Sequence, residues 1–140
     1  MYALIGALTL FLILVTFHEY GHYSVARYFK IKIIKFSIGF GPDLYKWKNK
    51  DDVRFSLSAI PFGGYVAFHD PADKENYSKL NPEEKKYVLA NRPALERSLV
   101  VLAGPIYNFI LAFFVFTFVG LFIPKQSDIC LLYTSPSPRD

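Results

Sequence analysis

The chain has 140 residues, of which 52% are hydrophobic and 18% aromatic, a composition that is rich for a water-soluble domain and ordinary for a membrane protein. Its formal net charge of +4 is too small to indicate nucleic-acid binding, so we expect no nucleic acid among its partners. The single cysteine, Cys130, excludes an internal disulfide framework and a cysteine-rich zinc site.

The first apolar run begins at Tyr2 and continues well past residue 20. It lacks the basic start and the small-residue cleavage pattern of a secretory signal peptide. A helix of about 25 residues, rising 1.5 Å per residue, would cross a hydrocarbon core of about 30 Å. We therefore predict a transmembrane helix over about residues 2–26. Most lysines and arginines follow it, between Arg27 and Arg97, which is typical of a cytoplasmic loop.

A His-Glu-x-x-His motif, residues 18–22, lies in the second half of this predicted helix. Positions four apart share a helix face, so His18 and His22 can present their imidazoles to one Zn²⁺ ion. Glu19 is placed to accept a proton from a water molecule at the metal without being a ligand itself. The alternative, an ordinary polar helix end, is less favoured because ionisable side chains in an apolar span are costly without a role. The motif is a metalloprotease signature.

Residues 33–68 alternate between apolar and polar side chains, which is the pattern of strands, with a polar turn at residues 49–52 and a break at residues 61–64. We predict a small β-sheet here, lying against the membrane on its cytoplasmic side, close to the metal. Its glycines either allow close backbone approach, including to a substrate, or serve only in turns. The glycines concerned are Gly39, Gly41, Gly63 and Gly64.

A polar segment over residues 69–98 precedes a second apolar run, for which we predict a transmembrane helix over about residues 99–123. His69 has no partner at helical spacing, so we do not expect it to bind metal. Asn108 is a polar group in the second run. It could form a hydrogen bond between helices, or it could contact the substrate backbone or the metal site, and the sequence favours neither.

The last eleven residues, 130–140, differ in amino-acid composition from the rest of the chain. They can be reverse-translated, residue for residue, into the transposase adapter used in short-read library preparation. The alternative is a natural tail rich in serine and proline. We interpret this segment as translated adapter and expect residues 1–128 to be the N-terminal part of a longer reading frame.

Four motifs in this order resemble the site-2 protease family of intramembrane zinc metalloproteases, in particular its bacterial branch that cleaves anti-sigma factors. They occupy residues 17–22 (Phe-His-Glu-Tyr-Gly-His), 36–41 (Phe-Ser-Ile-Gly-Phe-Gly), 60–66 (Ile-Pro-Phe-Gly-Gly-Tyr-Val) and 103–109 (Ala-Gly-Pro-Ile-Tyr-Asn-Phe). The resemblance covers nearly all of residues 1–128.

The resemblance implies an α-helical polytopic protein of the bacterial inner membrane, surrounded by lipid, that cleaves transmembrane segments of single-pass proteins such as anti-sigma factors. It implies that His18 and His22 bind zinc and that Glu19 is the catalytic base. The region from Gly39 to Gly41 resembles the family's membrane-associated β-hairpin. The region around Gly63 and Gly64 would lie in the same sheet, where an unwound substrate could add as a strand.

One departure from the family pattern concerns the third zinc ligand. The family takes it from an aspartate in a Leu-Asp-Gly-type motif on a later transmembrane helix, and this sequence contains no Asp-Gly pair. The PDZ modules usual in this branch are also missing. We therefore expect the fragment alone to be inactive. Two alternatives stay open: a non-catalytic membrane protein of the same fold that binds single-pass partners, and a soluble zinc protease with a signal anchor, against which the second apolar run argues.

Overall fold

The computed structural model describes residues 1–122. Two long helices flank a two-stranded antiparallel sheet, and both helices are long and apolar enough to cross a membrane. Two short helices and a 3-10 turn connect the sheet to the second long helix. In chain order the elements are α1 (Tyr2–Tyr28), β1 (Ile33–Lys48), β2 (Arg54–Phe68), α2 (Lys74–Ser78), α3 (Pro82–Lys85), the 3-10 turn (Leu89–Asn91) and α4 (Ala94–Phe122).

The first long helix, α1, extends two residues beyond its predicted end at residue 26. Lys30 adopts a φ of 59° just after it, a left-handed conformation that commonly ends a helix. Arg27, in the last turn, pairs with Asp51 of the hairpin turn. The N-terminal half of α1 exposes its apolar side chains, as expected of a helix that faces lipid rather than water.

The second long helix, α4, begins at Ala94, five residues before its predicted start. The polar residues of its first turn include Glu96, whose negative charge is favourable near a helix N-terminus. Pro105 lies inside the helix without ending it. Phe109 and Phe116 are 77% and 74% exposed, so the prediction of a second apolar span is confirmed by length and surface. Its predicted last residue and the tail over residues 130–140 lie outside the described residues.

The sheet consists of two long, bent strands, although the turn predicted at residues 49–52 and the break predicted at residues 61–64 would divide it into three segments. Residues 61–64 do not interrupt β2, because β1 and β2 absorb the irregularity through several register shifts. Residues 33–38 pair with residues 64–68 and also with the first part of β2. The polar turn at residues 49–52 is confirmed, and Asp52 in it has a φ of 64°.

The hydrophobic core lies between the C-terminal half of α1 and the sheet. Tyr23 contacts the rings of Phe36 and Phe55 edge-on, with centroids 5.6 and 5.5 Å apart, an arrangement that aromatic rings favour. Smaller apolar residues complete the cluster: Ala26, Ile31, Ile33, Val53 and Val100. This packing fixes the sheet against the half of α1 that carries the His-Glu-x-x-His motif.

Candidate metal centre and substrate groove

At the His-Glu-x-x-His motif, α1 and α4 approach each other closely. A Cβ atom on Gly21 would lie 2.5 Å from the backbone oxygen of Ala103, so the helix backbones are nearly in contact at this point. Ser24 Oγ, one turn further on, donates a hydrogen bond of 2.8 Å to the hydroxyl of Tyr107. Small residues at such crossings are the usual means by which membrane helices pack closely.

His18 and His22 lie side by side on α1, with ring centroids 4.8 Å apart in an edge-on arrangement. Both Nε2 atoms point towards Gly104 of α4. A Cβ atom on Gly104 would lie 2.4 Å from Nε2 of His22 and 2.7 Å from Nε2 of His18. Because zinc binds imidazole nitrogen at about 2.0–2.1 Å, the space that Gly104 leaves open suits an ion shared by the two rings.

The tautomer of His22 follows from its hydrogen bond. Its Nδ1 lies 2.7 Å from the carbonyl oxygen of Val100, which can only accept, so Nδ1 carries the proton. The Nε2 lone pair is therefore available to a metal. Orientation of a ligating histidine by a backbone carbonyl is a regular feature of zinc sites.

The other imidazole, that of His18, contacts a side chain instead. Its Nδ1 lies 3.3 Å from Nδ2 of Asn108 on α4. The Oδ1 atom of the same amide is buried and has no hydrogen-bond partner within residues 1–122. Asn108 thus lies beside the metal motif and links the two helices at the same time.

Glu19 lies in a groove of about 390 Å³ between α1, β2 and α4. His18, Gly63, Gly64 and Asn108 line the same groove, together with apolar side chains of α1. Glu19 is also close to the sheet, since a Cβ atom on Gly64 would lie 3.0 Å from its Cγ. The fold therefore brings a carboxylate, an imidazole, an amide and two sheet glycines to one cleft.

The other two sheet glycines lie elsewhere. Gly39 and Gly41 have φ angles of 88° and 87°, a region that favours glycine, and neither lines the groove. Gly39 is pressed against the carbonyl oxygen of Ile60, 2.7 Å from where its Cβ would be. Both glycines contact residues of β2, so in this structure they contribute to the bend of the sheet.

His69 lines a separate cavity with Lys32 and Glu84 and is not part of the motif's surroundings. Burial, and secondarily the charge of Lys32, lowers the pKa of its imidazole. In the described part of the chain, no group of three His, Cys, Asp or Glu residues is arranged to hold a metal ion. The Nε2 atoms of His18 and His22 face one space, and zinc binding by this pair stays a prediction.

Comparison with known proteins decides the family. Residues 6–132 match peptidase family M50. The chain belongs to peptidase family M50. The predicted resemblance to site-2 proteases is thereby confirmed.

Several relatives of this M50 chain carry names that agree with the site. A protein of Rickettsia conorii, provisionally named a zinc metalloprotease, is 40% identical over 83% of this chain and 32% of its own length. A protein of Agrobacterium fabrum with the same provisional name is 46% identical over 74% of this chain and 29% of its own length. The regulator of sigma E protease of Haemophilus influenzae is 39% identical over 79% of this chain and 24% of its own length. The chain spans less than a third of the length of each of these three relatives.

Two contributors to this M50 site, Gly104 and the carbonyl of Val100, are not among the residues that the sequence predicts. The sequence contains little that would point to either of them. Gly104 precedes Pro105 in an apolar run and reads as a helix irregularity rather than as a space for an ion. A backbone carbonyl leaves no trace in a side-chain pattern. Only the pairing of α1 with α4 brings both to the histidines.

Proposed function

We propose that the whole protein is an intramembrane zinc metalloprotease that cleaves transmembrane segments of single-pass membrane proteins, anti-sigma factors among them. One observation carries the proposal. The Nε2 atoms of His18 and His22 converge on the space beside Gly104, while Glu19 lies in the adjoining groove. Membership of family M50 and the names of the relatives support it.

His18 and His22 would hold the zinc ion, which when bound supplies a Lewis acid that polarises the scissile carbonyl and lowers the pKa of water. Glu19 would accept the proton of the attacking water and return it to the leaving amine. The carboxylate suits this role because it lines the groove next to His18 and has Gly64 rather than a bulky side chain in front of it.

The outer edge of β2 is the proposed docking site for substrate. Residues 64–68 pair only with residues 33–38 in the described register, so their second edge carries no strand there. Gly63 and Gly64 lie on this part of β2 and line the groove. A transmembrane substrate must unwind before water can reach its peptide bond, and pairing with a strand edge would hold the opened backbone beside Glu19.

The proposed location is the bacterial inner membrane, with the sheet on the cytoplasmic side. Both long helices expose apolar side chains that require lipid. The sheet and the connecting segment carry most of the lysines and arginines, and such loops favour the cytoplasm.

The second candidate is a non-catalytic membrane protein of the same fold that holds single-pass partners. Glu19 distinguishes the two functions, because a binding protein needs no proton acceptor beside the histidines.

The test uses the whole protein in lipid vesicles, with zinc content and cleavage of a transmembrane reporter measured side by side. Glu19→Gln should keep zinc and lose about 10²–10⁴-fold in rate, since it removes general-base catalysis alone. His18→Ala and His22→Ala should lose both zinc and cleavage. Glu75→Gln, at an exposed carboxylate of α2, is the matched control and should change neither. Full cleavage by Glu19→Gln would overturn the role assigned to Glu19, and a wild-type protein that binds zinc but cleaves nothing would overturn the protease assignment.

A further inference from the structure

We propose that Asn108 is a positioning residue that sets the tautomer of His18, with its Oδ1 accepting a hydrogen bond from His18 Nδ1–H. The inference rests on the proposed zinc site and extends it. It begins from the asymmetry between the two histidines. His22 has a backbone carbonyl on Nδ1, which leaves its Nε2 lone pair for a metal, whereas within residues 1–122 the Nδ1 of His18 contacts only the amide of Asn108.

The amide can face His18 in two ways, and they have opposite consequences. With Nδ2 towards the ring, the amide donates, so Nδ1 must be unprotonated and the proton of a neutral imidazole sits on Nε2. With Oδ1 towards the ring, Nδ1 carries the proton and Nε2 has its lone pair. An amide has nearly the same shape after a half-turn, so both orientations fit the space that Asn108 occupies.

Only the second orientation suits the site as the helices build it. The Nε2 atoms of both histidines face the same space beside Gly104, and a shared cation needs a lone pair on each. A proton on Nε2 of His18 would occupy that space and exclude the ion. The contact between His18 and Asn108 therefore works for the metal only as an acceptor contact, equivalent to the Val100 carbonyl on His22.

The contact with His18 is the one hydrogen bond that the Asn108 amide makes within residues 1–122. One amide atom of Asn108 faces His18, and the other is buried without a hydrogen-bond partner within residues 1–122. Leaving a buried polar atom unpaired costs free energy, which a purely structural helix contact would not require.

The test measures the zinc dissociation constant of the whole protein by competition with a chelator, independently of cleavage. Asn108→Leu keeps the volume and removes the acceptor, and should weaken zinc binding by about 10–100-fold, the usual loss when a partner of a ligating histidine is removed. Asn108→Asp keeps an oxygen that can only accept, and should bind zinc as tightly as the wild type or more tightly. The matched control is Tyr107→Phe, which removes the neighbouring hydrogen bond between the same helices. It should leave the dissociation constant unchanged.

Each outcome separates this inference from the proposed function. Zinc in the wild type, a loss in Asn108→Leu and rescue in Asn108→Asp would support it. Equal affinity in Asn108→Leu and the wild type would overturn it, as would equal losses in Asn108→Leu and Asn108→Asp. A loss of 10-fold or more in Tyr107→Phe would also overturn it, because helix packing would then explain the effect. A wild-type protein without zinc would instead overturn the proposed function itself.

Discussion

Gly104 has no side chain beyond hydrogen, and this leaves the space in which His18 and His22 could share an ion. The Nε2 atoms of His18 and His22 approach its Cα more closely than a methyl group would permit. The neighbouring small residues Gly21 and Ala103 bring the helices to this distance. The proposed metal site therefore depends on α4 as well as on the motif of α1.

This geometry predicts that Gly104→Ala loses zinc. The added Cβ would lie 2.4 Å from Nε2 of His22, so the ring must move or the helices must separate. We expect zinc affinity to fall by at least the 10–100-fold typical of a damaged ligand environment. The measurement is metal content after dialysis, with circular dichroism to confirm that the helices remain. Gly120→Ala on the same helix, where a Cβ meets nothing within 4 Å, is the control. Unchanged zinc in Gly104→Ala would refute the site.

At the scale of elements, the sheet and α1 meet at Gly64, and this contact joins the proposed docking strand to the proposed catalytic base, Glu19. A Cβ atom on Gly64 would lie 2.9 Å from the carbonyl oxygen of Ser37 and 3.0 Å from Cγ of Glu19. No atom of His22, a proposed metal ligand, is among the three that this Cβ would meet most closely. A side chain added at Gly64 should therefore displace Glu19 more than it disturbs the proposed zinc ligands.

We expect Gly64→Ala to reduce cleavage while zinc content stays at the wild-type level. Displacing a catalytic group by about 1 Å can cost about 10²-fold in rate, and larger β-branched residues at Gly63 or Gly64 should cost more. The measurement is reporter cleavage beside metal content. Gly6→Ala, where a Cβ meets nothing within 4 Å, is the control and should be neutral. Parallel loss of zinc and cleavage would point to a misfolded sheet instead.

A buried polar network stabilises the bend of the sheet. The hydroxyls of Ser37, Ser56 and Ser58 are buried and hydrogen-bonded to one another, and Ser58 also donates to Asp43. Asp43 in turn accepts a hydrogen bond of 2.9 Å from Lys35. The network connects residues of β1 and β2 whose proximity could not be inferred from the alternation of polar and apolar residues.

The carboxylate of Asp43 makes the stability of the sheet depend on pH. The hydrogen bond from Lys35 lowers its pKa below the ordinary 3.8, so the folded state favours the charged form. Its contribution is present above pH 4 and is lost as pH falls through the lowered value. Asp43→Asn should lower the melting temperature at pH 7, and its difference from the wild type should shrink at acidic pH. Asp52→Asn, at an 85% exposed carboxylate, should have a smaller effect. A difference that grows on acidification would contradict this.

At the scale of the whole molecule, the exposed apolar surface of two helices and the basic connecting segment together predict its orientation in the membrane. Loops rich in lysine and arginine favour the cytoplasmic side, so residues 29–93 should lie there and the two helices should cross the membrane in opposite directions. Reporter fusions after Lys50 and after Lys125 should therefore report opposite sides. A reporter on the same side in both fusions would contradict the arrangement of two spans.

The sequence by itself predicted the two long helices and the presence of strands, and it singled out His18 and His22 as the proposed metal ligands. Long apolar runs predict both spans, because a hydrocarbon core sets their minimum length and composition. The His-Glu-x-x-His spacing predicts that His18 and His22 share a face, because helix periodicity is a local property. Alternation predicts strands over residues 33–68, but it cannot report bulges, so the bent strands and their double pairing were not foreseen.

Only the tertiary structure decided what surrounds the motif. The open space at Gly104, the carbonyl of Val100 and the amide of Asn108 all belong to α4, more than seventy residues away in the chain. Which face of α4 meets α1 depends on the close approach at Gly21, and no local pattern encodes a contact between distant segments. The same is true of the glycines: Gly64 borders Glu19, while Gly39 and Gly41 shape the sheet. These glycines look alike in the sequence, but the bend of the two strands places Gly64 beside Glu19 and keeps Gly39 and Gly41 away from the groove.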